Sequence, residues 1–321
     1  MHIRDGILSP EVCLAAGVLA VGAVGYSLRQ MRRDLADRTV PYTGMTAALI
    51  FAAQMVNFPL FFAPVSGHLI GGVLAAVLLG PWAGCVALTL VLVVQALLFA
   101  DGGLLSLGAN TLNMAVVGTW FGWAVHAGLR KLLGSSASAT VAAAVCAAYL
   151  SVLAAAVCFC IEFGVSHRTA DFDLGRVFAL MLLFHAVIGL GEGLITGLVV
   201  RWLLIRRPEM LNSLTLVPQD RWPMRRYLAA GLGCSLVIAV CLAPFASEWP
   251  DGLEAVGERL NFNDLGTSHP LILKDYAIPL PATMWEPLSV SLAGLCGTLV
   301  VFAIGWLLGR MVSGKRIANG E

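Results

Sequence analysis

The sequence predicts an all-α polytopic membrane protein of about nine transmembrane segments. Three observations predict it. The 321 residues are 59% hydrophobic and only 12% charged, against about 25% charged residues in a soluble domain. The apolar residues fall in runs of roughly 17–25, the length that crosses a hydrocarbon core. The basic residues gather in alternate loops, which gives the chain a consistent sidedness. Net charge is +1, so overall charge gives no reason to expect nucleic acid as a partner.

The segments run over 8–28, 42–58, 67–80, 82–100, 107–128, 137–164, 177–205, 227–245 and 287–309. Arg29, Arg32, Arg33 and Arg38 close the first segment. The second carries Gln54 and Asn57 at membrane depth. The third is short, and the uncharged Pro81-Trp82 step after it reads as a tight hairpin or a partly inserted pair with the fourth. Arg130 and Lys131 follow the fifth. Arg201, Arg206 and Arg207 end the seventh, and Arg310, Lys315 and Arg316 end the last. With Arg221, Arg225 and Arg226, one side holds 15 of the 20 basic residues. Arg4, Arg168, Arg176, Arg259 and Lys274 lie opposite. The rich side is cytoplasmic, which puts the amino terminus outside and the carboxyl terminus inside.

Two parts are expected, at residues 1–207 and 227–321, joined by a polar cytoplasmic linker at 208–226. The second part holds two helices and an outer loop at 246–286. That loop is far longer than an ordinary connection. It holds Pro250-Asp251-Gly252-Leu253-Glu254 and several prolines. The eight cysteines lie in or beside apolar runs and read as small buried residues.

No basic region leading an apolar stretch precedes Arg4 and Asp5, so the free amino terminus is expected to be kept. His2 then sits beside an α-amine. Amine, backbone amide and imidazole can close two fused chelate rings, and a further histidine would complete a square-planar set of four nitrogens. That geometry suits Ni(II) or Cu(II). His68 falls on the same outer face as His2, within Ser66-Gly67-His68-Leu69. His167 and His269 lie on outer loops, and His126 near a cytoplasmic helix end. Asn110 and Asn113 share a helix face. With Gln95 they can hydrogen-bond a ligating imidazole and fix its tautomer. Interhelical bonding without a ligand is the plainer reading of the asparagines. His185 and Glu192 share another face, as a relay, a structural pair or a partner contact. No phosphate-binding loop, HExxH or GxSxG motif is present. Few carboxylates lie at membrane depth, which favours a machine driven by partners over one driven by a gradient. Two rivals stay open at this point. One is a membrane redox or enzyme subunit using His185, Glu192 and His126. The other is a divalent-cation channel that needs no ATPase.

Several motifs occur in order: Met1-His2-Ile3, Gln54-Met55-Val56-Asn57-Phe58-Pro59, Ser66-Gly67-His68-Leu69, Leu79-Gly80-Pro81-Trp82, Gln95-Ala96-Leu97-Leu98-Phe99, Leu107-Gly108-Ala109-Asn110 and His185-Ala186-Val187-Ile188-Gly189-Leu190-Gly191-Glu192. On these the chain resembles the CbiM/NikM family, the substrate-binding component of nickel/cobalt energy-coupling-factor transporters. Residues 227–321 resemble the two-helix accessory subunit of those systems, here fused. The resemblance implies that the Met1 amine, the His2 amide and imidazole, and the His68 imidazole bind Ni²⁺ or Co²⁺ as transported substrate. It implies no catalytic residues and no organic cofactor. It also implies a separate transmembrane coupling subunit and separate ATP-binding subunits in a prokaryotic plasma membrane. Two positions depart from the family pattern. Arg4 stands where proline is expected. Phe61-Phe62-Ala63-Pro64-Val65 replaces a glycine-rich run, and its bulky pair is expected to affect how the loop covers the site.

Overall fold

The computed structural model describes residues 1–34, 39–167, 172–207, 211, 224–267, 273, 276–278 and 286–318. The expected linker falls almost wholly outside these residues, as do Arg38, Arg168, His269 and Lys274. Helix α1 (Pro10–Asp34) opens on proline, whose missing N–H costs nothing at the first helical position. It leaves Leu14, Val18 and Val21 exposed, as an outer helix facing lipid would. Helix α2 (Thr39–Gln54) follows. A two-stranded antiparallel hairpin then leads outward, β1 (Phe58–Leu60) to β2 (Val65–Gly67), with Phe58 opposite Gly67 and Leu60 opposite Val65.

This hairpin corrects two segment ends. The second apolar segment leaves the helix at Gln54, before 58. The third becomes helical only in α3 (Gly72–Leu79). Pro59 is the reason, since it drives Phe58 into the extended region. His68 therefore lies on an extended stretch before α3 and does not open a helix. Phe61 and Phe62 sit at the hairpin tip, 97% and 56% exposed. Neither lines the cavities beside Met1 and His68.

Helix α4 (Pro81–Val94) continues through a π turn at Gln95–Phe99. It packs antiparallel on α3 across the Gly80-Pro81 corner, as the uncharged step predicted. Both are buried in the middle of the molecule. Residues 107–133 form one helical run: α5 (Leu107–Asn110), a π stretch at Thr111–Phe121, and α6 (Gly122–Leu133). Helices α7 (Ala137–Ser166) and α8 (Leu174–Arg206) are the longest adjacent pair, capped by Ser136 and Asp173 side chains that accept the Ala139 and Arg176 amides. Helix α9 (Met224–Val237) continues through irregular turns to Phe245. Short α10 (Gly252–Arg259) and long α11 (Glu286–Ala318) complete the chain.

Among the described residues, six helical stretches are long and apolar enough to cross a bilayer: Pro10–Arg33, Pro81–Phe99, Ala137–Ser166, Leu174–Arg206, Leu228–Phe245 and Pro287–Val312. The protein is a multi-pass helical membrane protein. Helix α3 has eight residues, about 12 Å at 1.5 Å per residue, and spans nothing by itself. Helix α11 lies along α2, and α9 joins them. Gly44 and Gly305 set that approach. A Cβ on Gly44 would fall 2.8 Å from the Phe302 carbonyl oxygen, and one on Gly305 2.7 Å from the Gly44 Cα. Small residues permit such backbone contact between membrane helices. All eight cysteines are free.

Candidate metal centre

The first eight residues thread between the ends of the helices. Asp5 anchors them. Its carboxylate accepts the Leu104, Leu105 and Ser106 amides at 2.9 Å each. Asn110 grips residue 3 on both sides, accepting the Ile3 amide at 2.8 Å and donating to the Ile3 carbonyl at 3.0 Å. The Gly103 amide also donates to the Ile3 carbonyl. These bonds fix the backbone immediately after His2. The Met1 and His2 side chains are buried as a result.

The Met1 amine lies 2.9 Å from His68 Nε2. The His68 Nδ1 lies 3.1 Å from the Leu69 carbonyl oxygen, which can only accept. That assigns the proton to Nδ1 and leaves the Nε2 lone pair toward the amine. His2 is fixed in the same way. Gln54 donates to the Ile70 carbonyl, Gln95 donates to the Gln54 carbonyl oxygen, and the Gln95 oxygen faces His2 Nε2 at 3.2 Å. The amide chain is directional and presents an acceptor to His2 Nε2. Burial lowers the pKa of His2 to about 4, against an upward pull from Asp101. Its ring is neutral at pH 7. Asp101 lies 3.1 Å from His2 Nδ1, and the Tyr276 hydroxyl donates to its other oxygen at 2.5 Å.

The outer loop brings a residue that local spacing did not point to. Asp251 accepts from the Met1 amine and lies 3.7 Å from His68 Nε2. The Pro250 carbonyl accepts the Ser66 amide at 2.8 Å, which lays the loop beside β2. The other Asp251 oxygen caps α10, accepting the Leu253 and Glu254 amides, and Glu254 closes the capping box. Gly252 sits where a Cβ would lie 2.8 Å from Ile188 and 3.0 Å from His185. Leu253 is buried. Burial by itself would raise the Asp251 carboxyl, but the adjacent amine and His68 hold it well below the usual range. Arg4, where proline was expected, donates to Asn263 of the same loop, and the Thr267 amide donates to the Asp5 carbonyl.

Met1, His2 and His68 thus come together, with Gln95 and Asn110 around them. Asn113 does not join. It faces α7 and donates to Glu162 at 2.7 Å, because the helix turns it away from Asn110's contact. Glu192 accepts the Ile70 and Gly71 amides at 2.6 and 2.8 Å and so holds the stretch that carries His68. His167 faces the Ile7 carbonyl. His126 packs against Trp123 at 5.6 Å, and neither of its nitrogens has a hydrogen-bond partner among the described residues. No three His, Cys, Asp or Glu side chains among the described residues are grouped to hold a metal ion. The arrangement depends on the terminal amine. A polar cavity of about 370 Å³ adjoins it, lined by His2, His68, Asp101, Asp251, Glu254 and Tyr276. Its lining holds three carboxylates against one guanidinium, that of Arg4, a balance that favours cations.

A family described as CbiM, cobalt uptake substrate-specific transmembrane region, matches residues 2–210, and a PDGLE domain matches 225–314. A fused nickel transport protein NikMN of Rhodobacter capsulatus is 36% identical over 250 residues, 74% of this chain and 71% of its own length. A cobalt transport protein CbiM of Geobacter sulfurreducens is 29% identical over 327 residues, 98% of this chain and 91% of its own length. The crystal structure of a truncated transition metal transporter superposes with a TM-score of 0.58 at 34% identity, covering 64% of this chain and 99% of that one. The chain therefore belongs to the CbiM family of nickel and cobalt transport membrane proteins, and it carries a PDGLE domain on the same polypeptide.

Proposed function

We propose that this chain is the substrate-binding membrane subunit of an ATP-driven importer of Ni²⁺ or Co²⁺. The site lies on the outer face of a prokaryotic plasma membrane. The cation is held by the Met1 amine, the His2 amide and Nδ1, and His68 Nε2. Separate coupling and ATP-binding subunits supply the energy. The nine-segment topology with an outer amino terminus belongs to the same reading.

One observation supports the site above the others. The Met1 amine and His68 Nε2 are 2.9 Å apart. With metal–nitrogen bonds of about 2.0 Å, two adjacent corners of a square plane are about 2.8 Å apart. The pair therefore fits one ion with little movement. His2 Nδ1 and the amide then close the two chelate rings opposite. Binding displaces protons from the amine and the amide, so affinity falls in acid. The sequence motifs support the partner reading, since the chain has no phosphate-binding loop of its own.

The test is Ni²⁺ and Co²⁺ titration of purified protein with its Met1 start, beside a form extended by one amino-terminal residue. Near-stoichiometric binding lost on extension is expected. Equal binding by both forms would remove the amine from the site.

A further inference from the structure

His185 lies on α8, inside the protein, and only 1% of it is exposed. Its Nδ1 sits 2.8 Å from the Met181 carbonyl oxygen. A carbonyl accepts, so Nδ1 carries the proton and Nε2 keeps a lone pair. The Cε1–Nε2 edge of the ring faces Gly252. That edge lines a small pocket shared with Met1, His68, Ile188 and Asp251. The void is about 10 Å³, at the lower limit for a single water and sufficient for one bare cation. A buried imidazole with one nitrogen tied and the other directed into a pocket beside two nitrogen donors is arranged as a metal ligand is. Its membrane depth fits too. His185 is 11 residues inside the outer end of α8 at Leu174, about 17 Å at 1.5 Å per residue. Glu192, two turns further along the same helix, is committed to the Ile70 and Gly71 amides.

We propose that His185 Nε2 is the first inner station for the transported cation, receiving it from the amino-terminal chelate on its way into the membrane domain. This rests on the amino-terminal reading above. In the transfer the His68 nitrogen is exchanged for the His185 nitrogen through the shared pocket, with no change of oxidation state. Gly252 belongs to the same device. A side chain there would press on the ring that must receive the ion.

The direct test places a reporter at the station. The full chain with its Met1 start is prepared as wild type and as His185→Cys, and each is loaded with Co²⁺. One Co²⁺ per chain is expected in both. A thiolate-to-cobalt charge-transfer band in the near ultraviolet is expected in His185→Cys and absent from wild type, whose cysteines lie elsewhere. Co²⁺ binding in His185→Cys without that band overturns the station. Failure of both proteins to bind Co²⁺ overturns the amino-terminal site, and the station with it. His185→Asn covers the case in which the cysteine variant does not fold. Its amide can keep the Met181 bond while removing Nε2. Binding of Ni²⁺ within twofold of wild type is expected there, with uptake in cells carrying the partner subunits lowered about tenfold or more, the low end for loss of a metal-site partner. Unchanged uptake, or loss of the first binding event, overturns the proposal.

Discussion

The rings of His2 and His68 lie one over the other, centroids 5.2 Å apart and planes 17° from parallel. Each is held by its outward nitrogen, His2 through Gln95 and His68 through the Leu69 carbonyl. The stack is therefore set before any ion arrives. Gln95→Leu should release His2 while leaving its ligand atoms in place. Ni²⁺ affinity is expected to fall 10- to 100-fold, the usual effect of removing an outer partner. Calorimetric titration checks this, and unchanged affinity would mean that the ring needs no such partner.

Asp251 joins the outer loop to the Met1 amine. Asp251→Asn should lower the thermal stability of the metal-free protein by an amount on the order of 1.5–3 kcal/mol, the range for a hydrogen bond to a charged group. The sign with pH follows from its depressed carboxyl. The contribution is fully present above the ordinary value of 3.8 and is lost as pH falls from there toward the lower folded value. Melting temperatures of the two proteins in detergent should differ at pH 7 and converge in strong acid.

Glu192 holds two backbone amides in a buried place. Glu192→Ala strands both, at about 1–3 kcal/mol each, and frees the stretch that carries His68. Both stability and Ni²⁺ affinity should fall. Glu192→Gln keeps one acceptor oxygen and should recover part of each. Thermal unfolding and Ni²⁺ titration of the two variants together give the answer, and an unaltered affinity in Glu192→Ala would show that His68 is placed by other contacts.

Gly44→Val should wedge α2 away from α11, because its Cβ meets the Phe302 carbonyl at 2.8 Å. The expected loss is about 1–3 kcal/mol, typical of overpacking. The anchoring of residues 1–8 by Asp5 and Asn110 lies elsewhere, so one-to-one Ni²⁺ binding should survive. Melting temperature and stoichiometry are the two measurements.

That Met1, His2 and His68 lie together was legible in the sequence for a physical reason. A histidine beside a free amine is a chelate by covalent geometry, whatever the fold, and sidedness put His68 on the same face. Gln95 and Asn110 were legible because a polar side chain at membrane depth needs a partner. Asn113 was misplaced because helical periodicity gives a shared face to first order only, and the run around it is a π stretch. Asp251 was not legible as a site residue. It meets Met1 across 250 positions, and a pentapeptide motif carries no record of what it docks against. Asp101 and Tyr276 were missed likewise. The Asp5 clamp had one available signal, a carboxylate near the terminus together with the amide-rich turn Gly102-Gly103.

Carrying Asp251 on the same polypeptide as Met1 removes dilution from the encounter. Two separate membrane proteins would meet at a rate set by their copy numbers. A tethered loop acts at an effective concentration on the order of millimolar, fixed by chain length. The packing of α11 along α2 keeps its root in place. Every copy of the protein is thus made with one such loop, and no imbalance of expression can leave an amino terminus without its carboxylate.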